Sequence, residues 1–177
     1  MLRYNVADLL RSAPGTSERH DVAAATLPIA DDLELADPIR GDVRLTNAGR
    51  SIIVQGQVET ALREQCSRCL RPAKAGVRVT FEDEALPSVD VESGRPFAGD
   101  EEPESLRLSD HHELDLEPVV RDAISLAEPI APLCRPDCPG LCETCGLDLT
   151  DAPEHSHPGE DIDPRLAALV GIREQLN

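Results

Sequence analysis

Six cysteines, spaced in pairs, constrain this chain more than any other feature. Four of them, Cys134, Cys138, Cys142 and Cys145, fall within one short stretch, and the remaining pair, Cys66 and Cys69, lies far upstream. A tight turn brings two thiols at C-x-x-C spacing onto the same side, where both reach one ion. Zinc takes four such ligands tetrahedrally, so a pair in one loop needs a second pair from elsewhere. A chain with these cysteines has to bring distant segments together.

The ligand set extends past Cys145 to His155 and His157. Six cysteines and two histidines fill two closed tetrahedral sites with none left over. Two partitions satisfy the count. In the first, Cys142, Cys145, His155 and His157 form a compact site, and Cys66, Cys69, Cys134 and Cys138 form a long-range one. In the second, Cys134, Cys138, Cys142 and Cys145 close locally and leave Cys66 and Cys69 with the histidines. Local closure orders less loop, whereas Pro139-Gly140-Leu141 is a turn suited to passing the chain from one site to the next. That turn favours the first partition.

Metal matters here because the apolar core is modest. The aromatics are only Tyr4, Phe81 and Phe97, alongside 15 prolines and 11 glycines. A core of Val, Leu, Ile and Ala lacks the payload that aromatics supply, so bound metal is expected to contribute folding free energy. The formal net charge of -17 argues against electrostatic wrapping of nucleic acid and suits a basic partner. The opening residues Met1 to Asp8 contain no apolar signal core, and no run approaches a membrane span. The expectation is a cytoplasmic protein with no membrane partner, in a compartment where thiols stay reduced and serve as ligands rather than disulfides.

Along the chain, residues 1–38 are ambiguous. Leu2, Tyr4 and Val6 alternate as in a strand, Val6, Leu9 and Leu10 suit a short helix, and Val22 to Leu27 resemble another strand. From residue 39 three alternating runs follow. The first contains Ile39, Val43 and Leu45, the second Ile52, Val54, Val58 and Leu62, and the third Val77, Val79 and Phe81. Short connections between them predict an antiparallel meander, apolar on one face, with Cys66 and Cys69 at the tip joining the second and third strands. In residues 82–105, Glu82, Asp83, Glu84, Asp90, Glu92, Asp100, Glu101, Glu102 and Glu104 are opposed only by Arg95, which predicts a solvated, flexible segment. A helix is expected after Asp115, with Leu116, Val119, Val120, Ala123, Ile124 and Ala127 as its apolar stripe. Another starts at Asp163-Pro164, carrying Leu166, Leu169, Ile172 and Leu176.

The fold class read from these patterns is α+β: an antiparallel β-meander packed with one or two helices, with a C-terminal zinc-knuckle segment. Residues 1–81 form a β-rich part carrying the first cysteine pair, 82–105 the acidic segment, and 106–177 the helices and remaining ligands, all within one domain.

Arg63, Arg68, Arg71, Lys74 and Arg78 surround the first knuckle, opposed locally only by Glu64. They read either as an RNA-phosphate contact or as partners of the acidic 82–105 segment. His111-His112-Glu113 lacks the second histidine four residues on that a zinc-protease helix requires and reads as a strand edge or loop. A redox dithiol is the alternative for the C-x-x-C pairs, but that motif normally opens a helix in a βαβ setting, whereas Cys66 and Cys69 lie between expected strands.

The run ending in Cys66-Ser67-Arg68-Cys69-Leu70, the acidic segment and helix after it, and Pro132-Leu133-Cys134 through Cys142-Glu143-Thr144-Cys145-Gly146 resemble the YceD family. Ile162 to Leu169 resemble it too. The resemblance implies a bacterial-type ribosome biogenesis factor needed for accumulation of the 23S ribosomal RNA, with no known catalytic activity and no small-molecule substrate. Its partner would be a large-subunit rRNA precursor or a basic ribosomal protein, and its cofactor one or two structural zinc ions. Relatives often carry C-x-C where this chain has His155-Ser156-His157, an exchange that keeps both positions as ligands.

Overall fold

The structure, a computed structural model, describes residues 2–29, 33–97 and 105–157. The helix expected from Asp163 lies outside the described residues. The alternating runs form three long strands, β4 (Ile39–Asn47), β5 (Ile52–Gln65) and β6 (Pro72–Ala85), paired antiparallel in sequence order. Before them come β1 (Arg3–Asn5), α1 (Ala7–Arg11), β2 (Ser17–Ala24) and β3 (Glu34–Leu35). After them come β7 (Glu113–Asp115) and α2 (Glu117–Leu126). β2 adds to β4 antiparallel, from Ser17 opposite Thr46 to Ala24 opposite Ile39. β3 pairs with the stretch of β5 that outruns β4, at Leu62 and Arg63.

The opening ambiguity resolves into both readings: Arg3–Asn5 is a strand and Ala7–Arg11 a helix. The next strand lies earlier than Val22 to Leu27, because its register on β4 starts at Ser17. β1 finds its partner in β7, pairing Arg3 with Asp115, so the opening residues meet the segment that leads into α2.

One face of the sheet supplies Val43, Leu45, Ile52, Val54 and Val58 to a core that also buries Leu2, Val6, Leu9, Leu114, Leu116, Val120 and Ile124. Period-2 burial is clean along β4 and the first half of β5. It breaks at Thr60, Ala61 and Leu62, all buried, where β3 crosses and Thr60 Oγ1 donates to the Asp37 carbonyl at 2.8 Å. Asn47, buried at the end of β4, donates through Nδ2 to the carbonyls of Leu9, Leu10 and Ser12. Its Oδ1 accepts from the Gly49 amide, so one side chain serves both the C-terminal end of α1 and the β4–β5 turn.

Asp115 caps α2 from outside, its Oδ1 accepting from the Glu117 amide at 3.0 Å, and Pro118 sits in the first turn, where a missing N–H costs nothing. Leu116, Val120 and Ile124 are buried, but Val119 turns away from them toward β6. β6 continues through Glu82–Glu84 to Ala85, so the acidic stretch begins on the sheet. His112 adopts a left-handed φ of 57° just ahead of β7. Among the described residues no helix is long and apolar enough to cross a membrane.

Candidate metal centres

The β5–β6 ladder stays in register to Gln65 opposite Pro72, leaving residues 66–71 as its loop. Within it the Cys66 amide donates to the Arg71 carbonyl at 2.8 Å and the Leu70 amide to the Cys66 carbonyl at 2.9 Å. Leu70 takes a left-handed φ of 61°, and the turn aims both sulfurs the same way. The chain leaving α2 reaches this tip through the Pro132 carbonyl, which accepts from the Ser67 amide at 2.8 Å. Arg68 Nη1 donates to the Cys138 carbonyl at 2.9 Å. These contacts set Cys138 Sγ 3.8 Å from Cys66 Sγ and Cys134 Sγ 3.7 Å from Cys69 Sγ.

Those separations are far longer than a disulfide bond of about 2.05 Å. They match the S···S edge of a tetrahedral centre, about 3.8 Å for Zn–S bonds near 2.3 Å. Cys66, Cys69 and Cys138 are buried, with Ala73, Leu133 and Leu141 packed around them, while Cys134 is exposed.

The second cluster repeats the first turn. The Cys142 amide donates to the Leu147 carbonyl at 2.8 Å, the Gly146 amide donates to the Cys142 carbonyl at 2.8 Å, and Gly146 has φ 72°. Gly146 thus holds the place that Leu70 holds in the first loop. Cys145 Sγ lies 3.2 Å from His155 Nε2, which is 3.0 Å from His157 Nε2. In each set of four, the ligand atoms all lie within 4.8 Å of one another. The grouping therefore joins Cys66, Cys69, Cys134 and Cys138, and separately Cys142, Cys145, His155 and His157. Each set can hold a metal ion.

Backbone amides prepare one thiol in each cluster for ligation. The Cys69 amide, followed by those of Cys134 and Arg68, brings the Cys66 thiol down to about 6. The Cys145 and Thr144 amides bring Cys142 down to about 6. A thiolate that accepts amide N–H groups is favoured over the thiol. Desolvation, joined by the neighbouring sulfurs, pushes Cys134 up to about 12. Cys69 accepts from the Arg71 amide, which lowers it, yet burial and the Cys66 and Cys138 sulfurs leave it raised. Crowding four sulfurs without a cation explains that contrast: one ionises readily and its neighbours then resist.

Gly140 sits between the clusters with φ 82°, and a Cβ there would lie 3.3 Å from the Arg68 Cβ and carbonyl oxygen. The Leu141 amide donates to that same Arg68 carbonyl at 3.2 Å, and the Leu149 amide to the Gly140 carbonyl at 3.0 Å. Glycine is required both for the left-handed turn and for the close approach.

The basic residues around the first knuckle are engaged within the molecule, and among the described residues their partners lie outside the 82–105 segment. Arg63 faces Glu34 at 3.8 Å, Lys74 Asp37 at 2.7 Å and Arg78 Glu59 at 3.0 Å. The sheet dictates two of these pairs, with Arg78 opposite Glu59 across β5–β6 and Arg63 opposite Glu34 across β3–β5, while Asp37 comes from the connection after β3. Arg71 bridges to Asp148 and Asp151, both at 2.7 Å, tying the first knuckle to the loop after the second. The Thr150 amide and then Arg71 hold the Asp148 carboxyl below its usual range. The roles of Arg68 and Arg71 as struts between the clusters escaped the sequence reading; the only sequence signal was the position of Asp148 and Asp151 just past the second cysteine pair.

The fold and site define a small α+β protein with two four-ligand clusters at one end of a β-meander. Residues 54–173 match the family model of the large ribosomal RNA subunit accumulation protein YceD, and the chain belongs to the YceD family. It is 35% identical over 173 residues to an uncharacterised protein of Mycobacterium tuberculosis, covering 96% of this chain and 80% of the relative. An uncharacterised protein of Mycobacterium leprae is 31% identical over 143 residues, covering 79% of this chain and 61% of the relative. A chloroplastic protein of Zea mays, named a large ribosomal RNA subunit accumulation protein YCED homolog, is 26% identical over 136 residues, covering 63% of this chain and 46% of the relative. No solved structure matches.

Proposed function

We propose that this protein is a non-enzymatic, zinc-binding factor of large ribosomal subunit assembly that supports accumulation of 23S rRNA in the cytoplasm. The observation that carries the reading is the pair of complete four-ligand sets in a chain of the YceD family. A catalytic zinc keeps a position open for water or substrate, and a set of four protein ligands leaves none. Zinc fits the donors: four thiolates with tetrahedral edge lengths in one site, two thiolates and two imidazoles in the other. The ions act structurally, pinning the segment after α2 to the tip of the β5–β6 hairpin. The partner is a large-subunit rRNA precursor or a basic ribosomal protein, with no small-molecule substrate and no membrane involved. Depleting the protein from its host should lower 23S relative to 16S rRNA, and the wild-type chain should restore the ratio. An unchanged ratio on depletion would sink this reading.

The lowered Cys66 and Cys142 thiols favour one second reading, a redox-responsive thiol protein. Low-pKa thiols react quickly with alkylating agents where reagent reaches them, as at the half-buried Cys142 rather than the buried Cys66, whereas metal-bound thiolates are shielded. Fast alkylation of the reductant-treated protein as isolated, with zinc absent, would select the thiol switch.

A further inference from the structure

The strongest unassigned surface is the groove between β6 and α2, about 920 Å3 in volume. Its apolar lining includes Val79, Phe81, Leu106, Val119, Ala123 and Leu126. Leu126 is 89% exposed, and Ile130, just beyond the helix, is fully exposed. The Phe81 ring is held in place by its cross-strand partner Gly56, where a Cβ would come within 2.3 Å of the ring. The exposed Leu126 at the end of α2, beside a floor of half-buried Phe81, Leu106, Val119 and Ala123, forms one continuous apolar surface, which marks an interaction site rather than scattered exposure.

Charge identifies the occupant. Glu82, Asp83, Asp115 and Asp122 line the groove with Arg107; Arg3 pairs with Asp115 at 3.1 Å, and the rim stays net acidic in a chain of net charge -17. β6 pairs with β5 along one edge, and among the described residues no strand pairs with its other edge. An extended segment laid there would find both backbone partners and apolar pockets. We propose that this groove docks a lysine- or arginine-rich polypeptide segment with apolar side chains between its charges. The chemistry rests on the groove alone, and the partner's identity as a basic ribosomal protein rests on the assembly-factor reading above. A protein that coats RNA carries such cations, because phosphate neutralisation requires them.

RNA is the poorer occupant, since the rim repels phosphate and the cations at the first knuckle are engaged in ion pairs or hydrogen bonds. The chain's own residues 158–177 are poorer too, because Glu160, Asp161, Asp163 and Glu174 outnumber Arg165 and Arg173.

The test is fluorescence anisotropy with the full metal-loaded chain. The probe is a labelled peptide alternating Lys with Leu and Val, beside a second peptide with Glu in place of Lys. The expected result is binding of the Lys peptide only, weakened by salt. A D83K/D122K variant should bind about tenfold or more weaker, as reversal of facing charges does. Leu126→Ser should also weaken binding, while an E18K/D21K variant, with the same charge change at exposed positions of β2 at the far edge of the sheet, should bind like wild type. Circular dichroism confirms that each variant is folded. Equal binding by D83K/D122K and wild type overturns the proposal. Preferential binding of an rRNA hairpin at the groove overturns it in favour of RNA. Peptide binding that emerges only after residues 158–177 are deleted overturns it in favour of self-occupancy. Because this assay uses purified components, its failure is distinct from an unchanged 23S to 16S ratio, which refutes the assembly role itself.

Discussion

Stripping metal from the reduced protein should release the segment from Cys134 to His157 while leaving the sheet folded. The segment contacts the hairpin tip through three hydrogen bonds: Ser67 to Pro132, Arg68 to Cys138 and Leu141 to Arg68. At a net value of about 1 kcal/mol each, these contribute about 3 kcal/mol, and the exposed ion pairs of Arg71 are screened by solvent. The small apolar cluster of Ala73, Leu133 and Leu141 adds little. Ordering roughly two dozen residues costs on the order of 24 kcal/mol of backbone entropy at about 1 kcal/mol each. The shortfall is of the size that two structural zinc ions supply, about 10 kcal/mol or more each. Hydrogen exchange reads the result directly. With metal bound, the amides of Leu141, Cys142, Gly146 and Leu149, all hydrogen-bonded in the structure, should be protected. Chelation should expose them to rapid exchange, while amides in the β4–β5 ladder stay protected. Undiminished protection of those four amides without metal would refute the reasoning, as would simultaneous loss across the whole sheet.

Asn47→Ala removes the donor to three carbonyls and the acceptor for Gly49, so urea unfolding should show a loss of about 2 kcal/mol. Leu70→Gly relieves a left-handed residue that is 53% exposed, and the same measurement should show stability unchanged or raised by up to about 1 kcal/mol. Gly146→Ala, at the equivalent place in the second loop, should lower it by about 1 kcal/mol. Zinc affinity should rise with pH, because the metal displaces protons from its ligands. At neutral pH Cys66, lowered to about 6, is already ionised, whereas Cys69 is raised and Cys134 stands at about 12, so both must still lose a proton. These two releases alone should steepen the apparent affinity of the first site by at least about a hundredfold per unit of pH near neutrality, measurable by chelator competition.

Much of the sheet was legible because β4, β5 and β6 are long, adjacent and half-buried, conditions under which period 2 shows plainly in sequence. The C-x-x-C spacing likewise located the hairpin tip. β1 was legible only as one of two readings of the opening residues and β3 not at all: one is three residues long with its partner some 110 positions away, the other two residues long beside a notch in the sheet. Spacing alone also left two partitions of the ligands open. What separates them in space is the Gly140 turn against Arg68, a contact between residues far apart in sequence. For the basic knuckle, sequence left an RNA contact and pairing with residues 82–105 both open, because the partners it meets in the structure, Glu34, Asp37, Asp148 and Asp151, arrive from other parts of the chain. Val119 was assigned to the apolar core stripe by periodicity, yet it faces the β6 groove, since helical period does not distinguish a core from a docking surface.

The central claim is that eight ligands from three segments form two closed zinc centres. The most direct measurement is metal content per chain by mass spectrometry on protein purified under reducing conditions, with Cys138→Ser and H155A/H157A variants beside it. The account predicts close to two zinc ions in the wild-type chain, and close to one in each variant, lost from the first site and the second respectively. A wild-type chain that carries no zinc, with all six thiols free to react, would contradict it.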